Sequence, residues 1–218
     1  MAYLTHAPGW LRTLMPPGLV WRGPQCNAEG KPAVYLTFDD GPHPSITPFV
    51  LDLLREHSAQ ATFFCVGEQA ARHADVCERA LREGHTLGNH THHHLSGWKT
   101  DLGPYLADVA TCAQALPATT LFRPPYGRIN RAQAAALQSG DQPMRIVMWD
   151  VLSADFDAAR TGAFCRDTVL RLVRPGSIVV FHDSEKAWPR LKEALPEVVA
   201  ALLARGFALE ALPATAEL

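Results

Sequence analysis

Two adjacent carboxylates close an apolar run in Thr37-Phe38-Asp39-Asp40-Gly41-Pro42. At the end of a strand such a pair repels itself and loses hydration, so a cation or a guanidinium must compensate it. On extended backbone successive side chains point to opposite sides, which gives Asp39 and Asp40 different tasks. Gly41-Pro42 turns the chain at once and leaves both acids at the strand's mouth. A solvated turn with one capping Asp is the ordinary meaning of such a string, but it explains neither the strand position nor the second acid. The run His90-Thr91-His92-His93-His94 supplies complementary chemistry. On a helical turn, His90 and His94 share one face and are close enough to share a metal ion. His92 and His93 then read as bystanders that face solvent or support the ligands. In a chain with 10 histidines the pair alone is weak, and its weight comes from its neighbours.

Arg123-Pro124-Pro125-Tyr126-Gly127 is a stiff loop, because two prolines fix φ and the glycine ends the turn. A rigid loop can hold a guanidinium against a carboxylate and aim a backbone N–H at a developing oxyanion. The bland alternative is a proline-rich surface turn. His182-Asp183 follow an apolar run. A lone His there is ordinarily a satisfied core residue, but a metal, a carboxylate and an Arg expected at the same end reverse that preference.

The elements that must position these residues follow from hydrophobic periodicity. Strands are predicted over 34–38, 61–66, 85–88, 120–122, 145–149, 177–181 and 207–210, and helices over 47–57, 68–83, 102–116, 131–139, 163–173 and 189–205. Gly84, Gly140, Gly176 and Gly206 fall where helix C-caps or strand entries belong. Strands alternating with helices predict a parallel α/β fold, either a barrel or an open doubly wound sheet. Asp39 and Asp40 follow the first strand, His90 to His94 the third and Arg123 the fourth. Asp150 to Asp155 follow the fifth, and His182 and Asp183 the sixth. Five loops at one end of the sheet thus carry the suspicious chemistry, and the C-terminal ends of parallel strands are where such folds build active sites.

Composition bounds the rest. With 218 residues, 47% of them hydrophobic, the chain fits one domain spanning 1–218, its motif-bearing core at about 33–211. A net charge of -2 and the lack of a Lys/Arg-rich run argue against a nucleic-acid partner. Cys26, Cys65, Cys77, Cys112 and Cys165 form no CxxC pair, so reduced core thiols are expected. No run approaches the ~18 apolar residues of a membrane span. Pro8, Pro16 and Pro17 break any signal-peptide core, which fits a cytoplasmic protein or a secreted or periplasmic one whose leader has been removed. No GxSxG is present, and the chemistry above needs no nucleophilic Ser.

In this order and at this spacing the residues resemble the polysaccharide deacetylase family, the NodB-homology domain also called carbohydrate esterase family 4. Five motifs match between Thr37 and Asp183: Thr37 to Pro42 as TFDDGP, His90 to His94 as H(S/T)xxH, and Arg123 to Gly127 as RPPYG. The other two are Trp149-Asp150-Val151-Leu152-Ser153-Ala154-Asp155-Phe156, for a motif that usually ends Asp-Trp, and Val180-Phe181-His182, for LxH. Val180 replaces a Leu, and Phe156 replaces a Trp, removing an indole donor while keeping an aromatic face. The resemblance implies a distorted (β/α) barrel of about seven parallel strands. It implies one divalent metal, most often zinc with cobalt as the alternative, held by Asp40, His90 and His94. Asp39, paired with Arg123, would be the general base, and the Tyr126 backbone N–H would share the oxyanion. His182, oriented by Asp155, would protonate the leaving amine, and Pro125, Tyr126, Phe156 and Val180 would line the substrate. The implied activity is removal of N-acetyl groups from an N-acetylglucosamine polymer, peptidoglycan or chitooligosaccharide. An O-acetyl esterase acting on xylan and an inactive glycan-binding module are the alternatives; a binder has no need to keep Asp39, Asp40, His90, His94 and His182 together. A structural zinc site fits less well, because Asp with two His leaves coordination open.

Overall fold

The sequence Ala-Val-Tyr-Leu-Thr-Phe-Asp forms β1 (Ala33–Asp39), buried along its whole length, as expected of the central strand of a parallel sheet covered on both faces. The structure is a computed structural model and describes residues 4–140 and 142–213. After α1 (Gly9–Leu14) and β1, the chain alternates through α2 (Ile46–Glu56), β2 (Thr62–Cys65), α3 (Gly67–Arg72), α4 (Ala74–Arg82), β3 (Thr86–Asn89), α5 (Leu102–Gln114) and β4 (Leu121–Phe122). It continues through α6 (Arg131–Ser139), β5 (Arg145–Ile146), β6 (Val151–Leu152), α7 (Gly162–Leu172), β7 (Ile178–His182), α8 (Trp188–Ala204) and β8 (Ala208–Leu209). Seven parallel strands in the order β5-β4-β3-β2-β1-β7-β6 curl into a half-barrel with helices around it, and β8 pairs with the start of β1.

Strand parity sorts the side chains. Leu36 and Phe38 of β1, Phe63 and Cys65 of β2, and Val179 and Phe181 of β7 pack outward with Val50, Leu54 and Val198 of the helices. The alternate residues Ala33, Tyr35, Phe64 and Ile178 form a separate inner cluster. Continuing that inner row with a period of two brings Thr37 and Asp39 of β1, and Val180 and His182 of β7, to the interior and its rim. Register places Asp39 beside His182, one layer above Thr37 and Val180.

Three expectations change. The strand expected over 145–149 divides: β5 pairs with β4 at one edge, β6 with β7 at the other. The residues between cross the open side of the half-barrel, with the Val147 N–H donating to the Phe122 carbonyl (2.8 Å) and the Asp150 N–H to that of Ile178 (3.0 Å). Val20 fills the gap, donating to Ile146 (2.9 Å) and accepting from Met148 (2.7 Å). Asp150 therefore precedes β6 instead of following β5, and it lies at the end of the barrel opposite the other candidate residues. There Arg12 (2.7 Å), Arg174 (3.2 Å) and Ser177 (2.8 Å) donate to its carboxylate. Burial works to raise its pKa, but hydrogen bonds from Arg174 and Ser177 and the Arg174 charge bring it below the usual carboxylate value. The helix expected over 68–83 breaks at His73 into α3 and α4, and α1 was not foreseen. None of the five cysteines is paired, and no helix among the described residues is long and apolar enough to cross a membrane.

Candidate active site

At the end of β1 the two acids separate. Asp39 turns inward, where its carboxylate accepts from Arg123 Nη1 at 2.7 Å. Asp40 has φ +80°, so its divergence comes from a left-handed backbone and not from continued extension. Gly41 follows because only glycine fits: a Cβ there would lie 2.1 Å from Asp183 Oδ2. The Gly41 N–H and the Thr47 hydroxyl both donate to the Asp183 carboxylate. Burial pushes that carboxyl up to about 7. Asp183 thus braces the turn that carries Asp40.

His90 to His94 form a loop, where a helical turn was expected. Thr91 and His94 take φ +62° and +56°, and side chains pin the loop in this shape. The Thr91 N–H donates to Asn89 Oδ1 (2.9 Å), and the Leu95 N–H donates to Thr91 Oγ1 (3.0 Å). Asp108 of α5 accepts the backbone N–H groups of His92 (2.8 Å) and His93 (3.0 Å), and its other oxygen lies 2.6 Å from His93 Nδ1. Sequence reasoning did not single out Asp108. Its only signal was a carboxylate beside Tyr105, Val109 and Cys112 on the buried face of a helix.

The loop brings His90 and His94 to within 5.1 Å, ring centre to ring centre. His90 Nδ1 donates to the Arg123 carbonyl (2.7 Å), leaving Nε2 3.8 Å from Asp40 Oδ1. His94 Nδ1 meets the Tyr126 hydroxyl (3.1 Å), and its Nε2 lies 3.1 Å from the same Asp40 oxygen. Burial pushes His90 down to about 4, so it is a neutral imidazole at pH 7. Burial works to raise the Asp40 pKa, but hydrogen bonding from His94 and the surrounding His charges bring it well below the usual carboxylate range. One ligand atom from each of Asp40, His90 and His94 lies within 4.8 Å of the others. Each imidazole is thus fixed through Nδ1 while Nε2 turns to a shared carboxylate, the arrangement that orients histidine ligands. The donor set fits a divalent metal such as zinc and leaves room for a further ligand. His93 is occupied by Asp108 and His92 lies against Gly67, so neither joins this cluster.

Two dyads flank the cluster. The fully buried Arg123 stacks 4.1 Å from the Phe64 ring centre and donates to the carbonyls of Val147 (3.2 Å) and Met148 (3.0 Å) as well as to Asp39. On the β7 side, Asp155 grips His182 with both oxygens, at 2.8 Å from its backbone N–H and 2.7 Å from Nδ1. Burial works against protonation of His182, but the Asp155 charge and hydrogen bond raise its pKa to about 9. Its ring is therefore charged at pH 7 and still has Nε2 to offer. The Phe156 ring centre lies 5.4 Å from that of His182. Val180 is buried beneath His182, Pro125 is buried in its turn, and Tyr126 is exposed with φ +59°. A cleft of about 420 Å³ opens beside Asp40, lined also by His43, Gln69, His73 and Glu185. A carboxylate paired with a guanidinium, an imidazolium paired with a carboxylate, and an Asp-His-His cluster thus lie at one mouth, groups whose chemistry could serve hydrolysis by an activated water.

Residues 27–142 match the family model described as polysaccharide deacetylase. The chain is 36% identical over 202 residues to a chitooligosaccharide deacetylase of Azorhizobium caulinodans, covering 85% of this chain and 95% of that protein. It is 32% identical over 197 residues to a peptidoglycan-N-acetylglucosamine deacetylase of Bacillus cereus, covering 88% of this chain and 69% of the relative. The fold is similar to the crystal structure of a peptidoglycan N-acetylglucosamine deacetylase, with a TM-score of 0.80 at 28% identity and 94% of both chains covered.

Proposed function

The chain belongs to the polysaccharide deacetylase family, and on that premise we propose that it hydrolyses N-acetyl groups on an N-acetylglucosamine-containing glycan, peptidoglycan or chitooligosaccharide. One observation carries the reading: Asp39 held by Arg123 and His182 held by Asp155 flank the Asp40–His90–His94 cluster at one mouth. Asp40, His90 and His94 would hold one divalent metal, zinc by donor type; bound there, it would polarise the acetyl carbonyl and make the attacking water more acidic.

The remaining roles belong to the chain's own groups. Asp39, oriented by Arg123, takes the proton of the attacking water. The Tyr126 backbone N–H donates to the carbonyl oxygen as negative charge develops on it. His182 donates its Nε2 proton to the departing sugar amine, so the C–N bond breaks to give a free amine and acetate. Asp155 keeps His182 charged and oriented. Pro125, Tyr126, Phe156 and Val180 shape the acetyl side of the mouth.

The direct test is mass spectrometry after side-by-side incubation with chitopentaose, peptidoglycan and acetylated xylan. Loss of acetyl groups from the first two is expected, and acetate released from xylan alone would overturn the amide assignment. The acid has a pH signature. His182 works protonated, so kcat/KM falls as pH rises through its pKa. Removal of the Asp155 charge lowers that pKa, so Asp155→Asn is expected to move the alkaline limb to lower pH. An alkaline limb that stays in place would remove His182 from the acid role.

A further inference from the structure

Beside the mouth, three exposed or half-buried groups stand in contact. Trp98 is 63% exposed and Tyr126 62%. The Arg128 guanidinium bridges them, 5.3 Å from the centre of the indole and 5.6 Å from that of the phenol. Tyr126 in turn packs against His94, ring centres 4.6 Å apart. A single exposed aromatic needs no explanation, but a contiguous series leading from solvent to the metal-ligand cluster does.

Nor is Trp98 on a loose loop. The short 3-10 turn Gly97–Lys99 that carries it is tied to the Arg128 backbone, with the Gly97 N–H donating to the Arg128 carbonyl at 3.1 Å. Gln133 Nε2 donates to the carbonyls of Gly97 and Thr100, each at 2.9 Å. A Cβ at position 97 would lie 2.5 Å from the Arg128 carbonyl, so glycine permits this close approach. The turn and the Arg128 segment therefore form one braced unit that holds an indole in water.

We infer that Trp98, Arg128 and the outer face of Tyr126 form a stacking subsite for a pyranose ring of the glycan chain next to the one being deacetylated. A pyranose presents an apolar C–H face that suits an aromatic ring and hydroxyls at its edge that suit a guanidinium. Rings already held in place lose little entropy when the sugar arrives, so the contact contributes to affinity. The subsite makes the enzyme a chain reader: an N-acetylglucosamine unit inside a polymer reaches both the reaction centre and the wall, whereas a lone sugar reaches only one. The inference rests on the glycan-deacetylase reading above and deepens it.

Steady-state kinetics of Trp98→Ala and Trp98→Phe test this on chitopentaose and on 4-nitrophenyl acetate, an ester too small to span both places. For Trp98→Ala the ratio of kcat/KM on chitopentaose to that on the ester is expected to fall roughly tenfold, mainly through KM, with Trp98→Phe restoring most of it. An unchanged ratio overturns the subsite, as does an equal loss on both substrates, which marks Trp98 as structural. Calorimetric binding of chitopentaose to Asp39→Asn, with and without Trp98→Ala, separates the two ideas. Binding that weakens roughly tenfold without Trp98 supports the subsite even if no glycan is turned over, whereas binding indifferent to Trp98 refutes it.

Discussion

Asp39→Asn is expected to keep its metal and lose roughly 10²–10⁴ in kcat, the usual worth of a general base. The substitution is nearly isosteric. Asn Oδ1 can still accept from Arg123 Nη1, which sits 2.7 Å from the native carboxylate, so the rim keeps its shape. What disappears is the basic lone pair that takes the proton. Asp39→Ala would be a poorer test, because it strands a fully buried guanidinium at a cost of about 3–5 kcal/mol and mixes lost stability with lost chemistry. Elemental analysis beside single-turnover acetate release reads both halves of the prediction. A metal-free Asp39→Asn, or one as fast as wild type, would falsify the assignment. The other buried carboxylates at the mouth would be poor bases in its place: Asp155 uses both oxygens on His182, and Asp183 uses both on Gly41 and Thr47.

Loss of the metal cluster should be more severe still. Asp40→Ala and His90→Ala are expected to weaken metal binding beyond the 10–100-fold typical of an outer partner and to abolish turnover, as should a chelator, with zinc or cobalt restoring the wild type. His92→Ala and His93→Ala should retain metal, since neither ring joins the cluster. His93→Ala removes only the side-chain part of the Asp108 clamp and leaves both backbone N–H donors in place. Competition against a chromogenic chelator ranks the four variants. Equal losses at all four positions would mean that the ligands are wrongly chosen, and full activity in demonstrably metal-free protein would mean that no metal is needed.

Much of the candidate site is legible in the amino-acid sequence. Asp39, Asp40, His90, Arg123 and His182 each stand just past a short segment predicted as a strand, and parallel strands put all such ends at one mouth. The two acids were expected to diverge and they do, although a left-handed Asp40 produces the divergence instead of an extended one. His90 and His94 do meet, but on a loop held by Asp108, Asn89 and Thr91 and not on a helix. The spacing of two histidines cannot distinguish these, because a distant side chain decides which backbone is satisfied. Asp150 shows the limit most clearly. By position it belonged to the mouth with Asp155, yet the four residues between them span the half-barrel from one end to the other.

What the sequence by itself determined is therefore local: where strands end, which residue types stand there, and which face each alternate side chain takes. Those follow from periodicity and from the cost of burying a charge without a partner. The tertiary structure alone decided which edge each short strand joined, which end of the barrel Asp150 reached, and that Trp98 would lie against Arg128. The first two depend on closure of the sheet around Val20 and residues 147–150, and the third on the hydrogen bonds that tie Gly97 to Arg128 and Gln133; each brings together groups far apart in the chain. No local pattern encodes such a contact, because its free energy exists only once the strands on either side are already in place.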